Sequence, residues 1–415
     1  MKSIKPSIIN GSVKAPSSKS MTIRAAAGAL LSSGKTQIIS PSKSQDAQTA
    51  LQIIQDLGAL IQSIPHGIQV KGTLHLKKSS VQCGESGLCI RLFTPIASLF
   101  QKELILKGKG SLLKRPMDMM EFPLESLGVK CRTRNGFPPV KVKGPLGFGK
   151  LNMDGSLTSQ FFSGLLMALP LCKGNSEIRV QNLKSKPYIL MTLELLNDFG
   201  IKVNKDQDLS TFQIPGNQRY NREVYSVEGD WSGASCLLVA AAISGKVSVT
   251  GLNMKSSQAD KQILKALKKA GARIQKGENK VTVSQERLKS FVFDATHCPD
   301  LIPALTVLAC SASGLSKIMG ADRLKHKESN RALTLVSEFK KMGADICFEK
   351  NKLLIRGREL KGGNVFSHHD HRIAMAEAVA GLRAKKGVHI HKWECVSKSY
   401  PSFFKDMISI GGKIK

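Results

Sequence analysis

Several segments of the sequence place basic and hydroxyl side chains where a helix is predicted to begin. In PSSKSMTIRAAAGALL, residues 16–31, Lys19, Ser20 and Arg24 are predicted to stand at or within the first turn of an Ala-rich helix. Free backbone N–H groups and the positive end of the helix dipole favour an anion at such a place. The segment therefore predicts an anion-binding site, although a capped helix with a nearby lysine is also common without any ligand.

The same combination recurs at other predicted helix starts. Arg115 follows a glycine-rich strand exit and precedes Pro116, which is predicted at the first position of a helix. Further helix starts carry Thr158, Ser159 and Gln160, then Ser185 and Tyr188, then Lys327, Glu328 and Arg331, and finally Arg372 and Lys398. Glu328 and Arg331 are predicted one turn apart on one helix face. Several helix N-termini are thus predicted to converge on one anionic site.

A second lysine, in SGKT at residues 33–36, does not fit a nucleotide-binding loop. The interval from Gly28 to Gly34 is one residue too long for GxxxxGK[ST], and Lys35 follows a helix and precedes a strand. The end of a helix disfavours a phosphate because the dipole is negative there. We predict that Lys35 is not a nucleotide ligand.

Two other clusters have residue types used in metal or thiol chemistry. HHDH, residues 368–371, contains metal ligands, but adjacent ligands rarely share one ion, and a loop before a helix explains the polarity. Cys83 and Cys89 have no neighbouring base and are predicted to pack in the core. The nine cysteines include no CxxC pair, so they are predicted to be reduced thiols. We expect no metal and no cofactor.

Composition indicates a globular protein with an unusual charge. The 415 residues are 41% hydrophobic, which predicts two or three domains with well-buried cores, and the apolar runs are too short to span a membrane. No signal-peptide pattern begins the sequence, so a cytoplasmic location is expected. A net charge of +31 would attract anions or nucleic acid, but aromatic residues are only 5%. A lysine-rich solvated surface is therefore favoured over a nucleic-acid partner.

One pattern, a helix followed by glycine and a strand, occurs six times. Its glycines are Gly58, Gly128, Gly200, Gly271, Gly343 and Gly411, at intervals of 68 to 72 residues. A glycine at this place is typical of a left-handed helix C-cap. Between these landmarks an Ala/Leu-rich helix precedes another strand, so each unit holds two helices, each followed by strand. The pattern predicts an α/β (α+β) fold of six repeats in two groups of three.

Taken together, the segments resemble the 5-enolpyruvylshikimate-3-phosphate synthase (EPSP synthase) family over essentially the whole chain. The matching segments are PSSKSMTIRA, CGESGLCIR, KRPM, DGSLTSQF, SKPYI, VEGDWSGAS, CPDLIPAL, KHKESNR, DHRIAMA and SKSYPSFF. The resemblance implies the two-domain enolpyruvyl transferase fold, in which each domain has three βαβαββ subdomains and the active site lies in the interdomain cleft. The implied domains are 1–16 with 228–415, and 17–227.

The resemblance also implies a reaction and the residues that perform it. The enolpyruvyl group of phosphoenolpyruvate would transfer to the 5-hydroxyl of shikimate 3-phosphate, with release of phosphate, in chorismate and aromatic amino-acid biosynthesis. The implied catalytic residues are Asp300, which faces the shikimate hydroxyl, Glu328, the acid/base beside the enol, and Lys19. The implied ligands of shikimate 3-phosphate are Lys19, Ser20, Arg24, Thr158, Ser159, Gln160, Ser185, Tyr188, Asp300, Arg323 and Lys327. Those of phosphoenolpyruvate are Lys19, Gly87, Arg115, Gln160, Arg331, Arg372 and Lys398.

The chain departs from the family pattern beside Gly87. Glu85, Leu88 and Leu92 stand where other residues are common, so the response to glyphosate is not predicted. The resemblance suggests a monomer. Two alternatives stay open at this stage: an enolpyruvyl transferase acting on UDP-N-acetylglucosamine, which has Lys-Asn in place of Lys19-Ser20, and an RNA-end-modifying or nucleic-acid-binding protein of related subdomain fold.

Overall fold

The repeating pattern forms six four-stranded sheets in a computed structural model that describes residues 1–415. The strands are β1 (Lys2–Lys5), β2 (Ile9–Lys14), β3 (Lys35–Ile39), β4 (Leu60–Ile64), β5 (Gly67–Lys71), β6 (Ser80–Gln82), β7 (Leu104–Lys107), β8 (Lys130–Arg134), β9 (Phe137–Lys143), β10 (Lys150–Asp154), β11 (Ser176–Gln181), β12 (Asn204–Lys205), β13 (Thr211–Ile214), β14 (Val224–Ser226), β15 (Gly245–Thr250), β16 (Arg273–Lys276), β17 (Lys280–Ser284), β18 (Val292–Asp294), β19 (Leu315–Met319), β20 (Asp345–Glu349), β21 (Lys352–Arg356), β22 (Gly363–Phe366), β23 (Val388–His391) and β24 (Lys413–Ile414). The α-helices are α1 (Lys19–Leu31), α2 (Gln45–Asp56), α3 (Gly87–Ala97), α4 (Glu121–Ser126), α5 (Ser159–Ala168), α6 (Lys186–Asp198), α7 (Trp231–Ser244), α8 (Ile263–Lys269), α9 (Ile302–Cys310), α10 (Arg331–Lys341), α11 (His371–Gly381) and α12 (Phe403–Ser409).

All six sheets share one strand pattern. In the sheet β10-β11-β13-β12, the edge strand β10 pairs parallel with β11, and the remaining neighbours pair antiparallel. Helix α5 connects the two parallel strands, as a parallel pair requires. The six recurring glycines all have positive φ, between 79° and 124°. The predicted α/β (α+β) fold of six repeats is therefore confirmed.

The chain divides into two units, each with three sheets. Unit 1 comprises Met1–Ser18 and Glu228–Lys415, and unit 2 comprises Lys19–Val227. These bounds differ from the predicted ones at residues 17 and 18, because Ser17 pairs with Gly229 and the Ser18 amide donates to the Glu228 carbonyl. None of the helices combines the length and apolar character needed to cross a bilayer.

Each unit has three helices that are buried along almost their whole length. They are α7, α9 and α11 in unit 1, and α1, α3 and α5 in unit 2. Helices without a polar face belong in the core. The residues of these helices that stay partly exposed are Lys19, Ser20, Gln160 and Ser232, all in a first turn. The fold therefore presents polar side chains at the N-terminal ends of otherwise apolar helices.

Replacing Gly245 with Ala should destabilise unit 1 by about 3 kcal/mol. Gly245 begins β15 opposite Ile9 with φ 149°, and an added Cβ would lie 1.9 Å from the Ile9 carbonyl oxygen. The matched control is Gly277→Ala, because a Cβ there meets only ordinary contacts at 3.7 Å or more. Urea unfolding followed by tryptophan fluorescence reports unit 1, since both tryptophans, Trp231 and Trp393, lie in it. Equal midpoints for the two variants would contradict this expectation.

Candidate active site

Polar residues stand at three predicted helix starts in unit 2. Thr158 is the N-cap of α5 and accepts a hydrogen bond from the Gln160 amide at 3.2 Å. Ser185 precedes α6 in a left-handed conformation, with φ 57°, and Tyr188 lies in the first turn. Lys19 is the first residue of α1. The predicted starts of these helices agree with the structure.

Two other details of the predicted helix starts are wrong. Arg115 follows a short 3-10 helix and is extended, with φ −97° and ψ 132°, so Pro116 is not the first residue of a helix. A proline disfavours the helical conformation of the residue before it, and the next helical turn begins only at Asp118. Glu328 lies in the turn before α10, because Asn330 caps that helix and its side chain accepts from the Leu333 amide.

Lys19 is paired with a carboxylate that the sequence analysis missed. Its Nζ lies 2.9 Å from Asp46 Oδ2, and 13% of the Lys19 side chain and 11% of the Asp46 side chain are exposed. Asp46 is in the first turn of α2, 27 residues away in the chain. Lys19 therefore meets any incoming anion with part of its charge already balanced.

Arg24 is buried in the second turn of α1, not at or within the first turn as predicted, because the helix begins at Lys19. Its Nε donates to Thr192 Oγ1 at 2.9 Å, and its other nitrogens donate to the Ser20 and Tyr188 carbonyl oxygens. Burial lowers the pKa of its guanidinium to about 10. Arg24 thus joins α1 to α6, beside the Ser20 and Tyr188 that the resemblance assigns to the same substrate.

Gly87 and Arg115 depend on each other sterically. Gly87 begins α3, and a Cβ on it would lie 2.5 Å from Arg115 Nη1. The absent side chain therefore leaves room for the guanidinium. Arg91, buried one turn further along α3, donates to Gln160 Oε1 at 2.9 Å and to the Pro116 carbonyl at 3.0 Å. Arg91 holds together two segments predicted to bind phosphoenolpyruvate, a role that its place within CGESGLCIR did not reveal.

Glu85, one of the departures from the family pattern, also supports the Arg115 segment. Its Oε2 accepts from the Ser111 amide at 3.2 Å and from the Ser111 hydroxyl at 2.9 Å. Ser111 belongs to the 3-10 helix Gly110–Lys114 that leads directly into Arg115. Cys89, next to this region, is fully buried, and burial together with Asp46 raises the pKa of its thiol to about 12. The thiol is therefore neutral, in keeping with its predicted place in the core.

In unit 1 the predicted residues form a cluster around Asp300. Its carboxylate accepts from Arg331 at 2.8 Å and Arg372 at 3.1 Å, and lies 3.2 Å from Lys327 Nζ. Arg331 also pairs with Glu328. Burial opposes the ionised form of Asp300, but Arg372, Lys327 and Arg331 together hold its pKa well below the ordinary value. Asp300 is therefore a carboxylate at neutral pH.

Asp370 is a member of this cluster that the sequence analysis missed. It is fully buried, and its Oδ2 accepts from Arg331 Nε at 2.7 Å. Its Oδ1 caps α11 by accepting from the Arg372 amide at 3.0 Å. Burial lowers the pKa of Arg331, but Asp370, Glu328 and Asp300 outweigh it and raise that pKa above the ordinary value. An aspartate directly before an Ala-rich helix was the available signal.

The remaining predicted residues lie on neighbouring segments of unit 1. Lys398 ends a 3-10 helix and donates to the His369 carbonyl at 2.7 Å. Arg323 lies in another 3-10 helix, Ala321–Leu324, shortly before Lys327. Two further side chains, Ser232 and Asp260, extend the cluster: Arg372 donates to the Ser232 hydroxyl, which donates to Asp260. Neither was predicted.

The cluster combines a proton acceptor with cations for an anion. The guanidinium groups of Arg331 and Arg372 can each bind a carboxylate or phosphate through two parallel hydrogen bonds. Asp370 offsets part of this positive charge, so the cluster is less cationic than its lysines and arginines alone indicate. Such an arrangement suits a reaction in which an anionic substrate is held while a proton moves.

Comparison with known proteins agrees with this chemistry. The chain matches the family described as EPSP synthase (3-phosphoshikimate 1-carboxyvinyltransferase) over residues 4–407. It is 37% identical to the 3-phosphoshikimate 1-carboxyvinyltransferase of Clostridium kluyveri, over 99% of this chain and 97% of that protein. It is 38% identical to that of Clostridium perfringens, over 99% and 98%.

Solved structures show the same fold. The EPSP synthase of Acinetobacter baumannii matches with a TM-score of 0.83 and 25% identity, over 100% of this chain and 99% of that one. The enolpyruvyl transferase NikO of Streptomyces tendae matches with a TM-score of 0.80 over 100% and 98%, but at 15% identity this likeness concerns the fold alone. The family match and the relatives, which extend over almost the whole chain, lead to one conclusion: the chain belongs to the EPSP synthase family.

Proposed function

We propose that the protein is a 3-phosphoshikimate 1-carboxyvinyltransferase, which transfers the enolpyruvyl group of phosphoenolpyruvate to the 5-hydroxyl of shikimate 3-phosphate. The observation that carries the proposal is the ionised Asp300 held among Arg331, Arg372 and Lys327. This reaction needs an acid/base pair and a place for two anionic substrates. Family membership makes it the first reaction to test.

The proposed steps balance as addition followed by elimination. A proton adds to carbon 3 of phosphoenolpyruvate, and the substrate hydroxyl adds its oxygen to carbon 2 and gives up its own proton. The tetrahedral adduct then loses a proton from carbon 3, and phosphate leaves from carbon 2, which restores the double bond. Asp300 takes the hydroxyl proton and gives it to the departing phosphate, and Glu328 gives and later removes the proton at carbon 3. Lys19 contacts both substrates.

The anion contacts of each substrate are assigned as follows. We propose that phosphoenolpyruvate is bound by Gly87, Arg115, Gln160, Arg331, Arg372 and Lys398, and shikimate 3-phosphate by Ser20, Arg24, Thr158, Ser159, Gln160, Ser185, Tyr188, Arg323 and Lys327. The arginines and lysines supply the positive charge, so the mechanism requires no metal or cofactor.

Phosphate release is the direct test. With phosphoenolpyruvate and shikimate 3-phosphate together, the purified protein should release phosphate, whereas either compound alone should give none. UDP-N-acetylglucosamine in place of shikimate 3-phosphate should also give none, because the family match does not favour that acceptor. Release with the nucleotide sugar alone as acceptor would refute the proposal and support the sister transferase.

We further propose that the protein acts as a monomer in the cytoplasm. All nine cysteines are free thiols, and eight of them are buried. Proteins of reducing compartments keep their cysteines in this form. Each unit completes its own three sheets within a single chain, so no sheet requires a second copy.

A further inference from the structure

Asp260 is a buried carboxyl group of unit 1 that the mechanism above does not use. It is 4% exposed; its Oδ2 accepts a hydrogen bond from the Ser232 hydroxyl, and its Oδ1 has no hydrogen-bond partner. A carboxylate oxygen buried without a donor disfavours the ionised form. Burial accordingly raises the pKa of Asp260 to about 7, although Arg372 opposes this shift. Asp260 therefore changes its charge near neutral pH.

Ser232 lies between Asp260 and Arg372. It is the second residue of α7, and Asp230 Oδ1 fixes this turn by accepting from the Ser232 amide at 2.8 Å and the Gly233 amide at 3.1 Å. The Ser232 hydroxyl accepts from Arg372 Nη1 and donates to Asp260. A serine hydroxyl has a single proton. While Asp260 is ionised, Ser232 consequently has no proton to offer to a ligand.

We propose that Asp260 decides, through Ser232, whether the Arg372 end of the site offers one additional hydrogen-bond donor to phosphoenolpyruvate. When Asp260 is protonated, its own O–H donates to the Ser232 oxygen, and the Ser232 O–H turns to the anion bound at Arg372. When Asp260 is ionised, that proton returns to the carboxylate. Asp260 is a positioning residue in this scheme, and Ser232 is the ligand. The inference rests on the proposed function, in which Arg372 binds phosphoenolpyruvate.

The groups around Asp260 make its protonation sensitive to a bound anion. Arg372 favours the ionised form, whereas Asp300 and Asp230 favour the protonated form. Burial raises the pKa of the neighbouring thiols of Cys236 and Cys298, so both stay neutral at the pH values concerned. An anion at Arg372 offsets this cation and adds negative charge. It therefore raises the pKa of Asp260 further, and above pH 7 binding is coupled to uptake of a proton.

The sign of the pH dependence follows from this coupling. Below pH about 7 Asp260 is already protonated, so affinity for phosphoenolpyruvate should not depend on this group. Above pH 7 binding is accompanied by uptake of a proton, and the KM for phosphoenolpyruvate should rise by up to about tenfold for each pH unit until the Ser232 contact is lost. The kcat should change much less, because Asp260 touches neither substrate.

The test compares the unsubstituted chain with Asp260→Asn and Ser232→Ala. Asn can donate an N–H to Ser232 at every pH, so Asp260→Asn should keep a low KM for phosphoenolpyruvate up to pH 9 with kcat within about twofold. Ser232→Ala should show a raised KM at pH 6 and a smaller rise above pH 7 than the unsubstituted chain, since only the charge of Asp260 then acts on the anion. The KM for phosphoenolpyruvate and the kcat of all three proteins are measured by phosphate release at saturating shikimate 3-phosphate. Because the proteins are compared at equal pH, the ionisation of phosphoenolpyruvate itself affects them equally.

The outcomes separate this inference from the proposed function. If the unsubstituted chain releases no phosphate, the proposed function fails and the inference fails with it. If release is normal but Asp260→Asn keeps the same rise of KM above pH 7, the inference alone is refuted. A rise in Ser232→Ala as steep as that of the unsubstituted chain would also refute the relay, because Asp260 would then act on the anion by its charge alone.

Discussion

Replacing Asp300 with Asn should lower the turnover number by about 10² or more while leaving the binding of shikimate 3-phosphate mostly intact. The amide keeps the shape of the side chain but cannot take the hydroxyl proton. Asp300 also neutralises Arg331, Arg372 and Lys327 in the structure. Its removal frees these cations for an anion, so the KM for phosphoenolpyruvate should stay equal or fall. A loss of turnover with unchanged or lower KM distinguishes a chemical role from a general weakening of the site.

This measurement needs a second carboxylate variant and a control. Glu328→Gln should likewise lower turnover by about 10² or more, since it removes the acid/base at carbon 3. Asp345→Asn is the matched control, because Asp345 is exposed and lies 3.7 Å from the exposed Arg356. Turnover is followed by phosphate release, and binding of shikimate 3-phosphate by titration calorimetry. Near-normal turnover in both Asp300→Asn and Glu328→Gln would overturn the assigned roles.

Replacing Arg331 with Met should destabilise unit 1 by about 3 to 5 kcal/mol. Arg331 is 1% exposed and pairs with Asp370, Asp300 and Glu328. Without it, a fully buried carboxylate at Asp370 loses its cation. The stability of Arg331→Lys should lie between that of Arg331→Met and that of the unsubstituted chain, because lysine restores the charge but not the planar array of donors.

The stability of these variants can be measured separately from that of unit 2. Tryptophan fluorescence during urea unfolding reports unit 1 alone, since both tryptophans are in that unit. Circular dichroism follows both units together. Arg356→Met is the control, because its partner is exposed and such pairs contribute at most about 1 kcal/mol. Equal tryptophan midpoints for Arg331→Met and Arg356→Met would show that the buried ion cluster does not stabilise the unit.

Features that depend on neighbouring residues were predictable from the sequence. The six glycines have the left-handed conformation that their place after a helix requires. Thr158 caps α5 because its hydroxyl reaches an amide two residues ahead. Lys35 follows α1 and begins β3, as its place between a helix and a strand indicated. Each of these features depends only on residues that are a few positions apart in the sequence.

Pairs that are distant in the chain were not predictable in the same way. Lys19 and Asp46 are 27 residues apart, and Arg331 and Asp370 are 39 apart. Arg91 and Gln160 come from different repeats. No local spacing reveals such partners, because the packing of helices on one another brings them together. The prediction for the Arg115 segment failed for a local reason. A proline can begin a helix, but here Pro116 kept the preceding residue extended.

The pairing of β1 has a consequence for the order in which the protein folds during synthesis. β1 lies between β23 and β24, where Lys5 is opposite Lys413, and β2 pairs with β15. The sheets of unit 1 thus join the first residues of the chain to the last. Unit 2 is one continuous segment, and its last strand, β14, pairs with its first, β3. Unit 2 can therefore fold while the ribosome is still making unit 1, where β2 must wait for β15 and β1 must wait until β23 and β24 emerge.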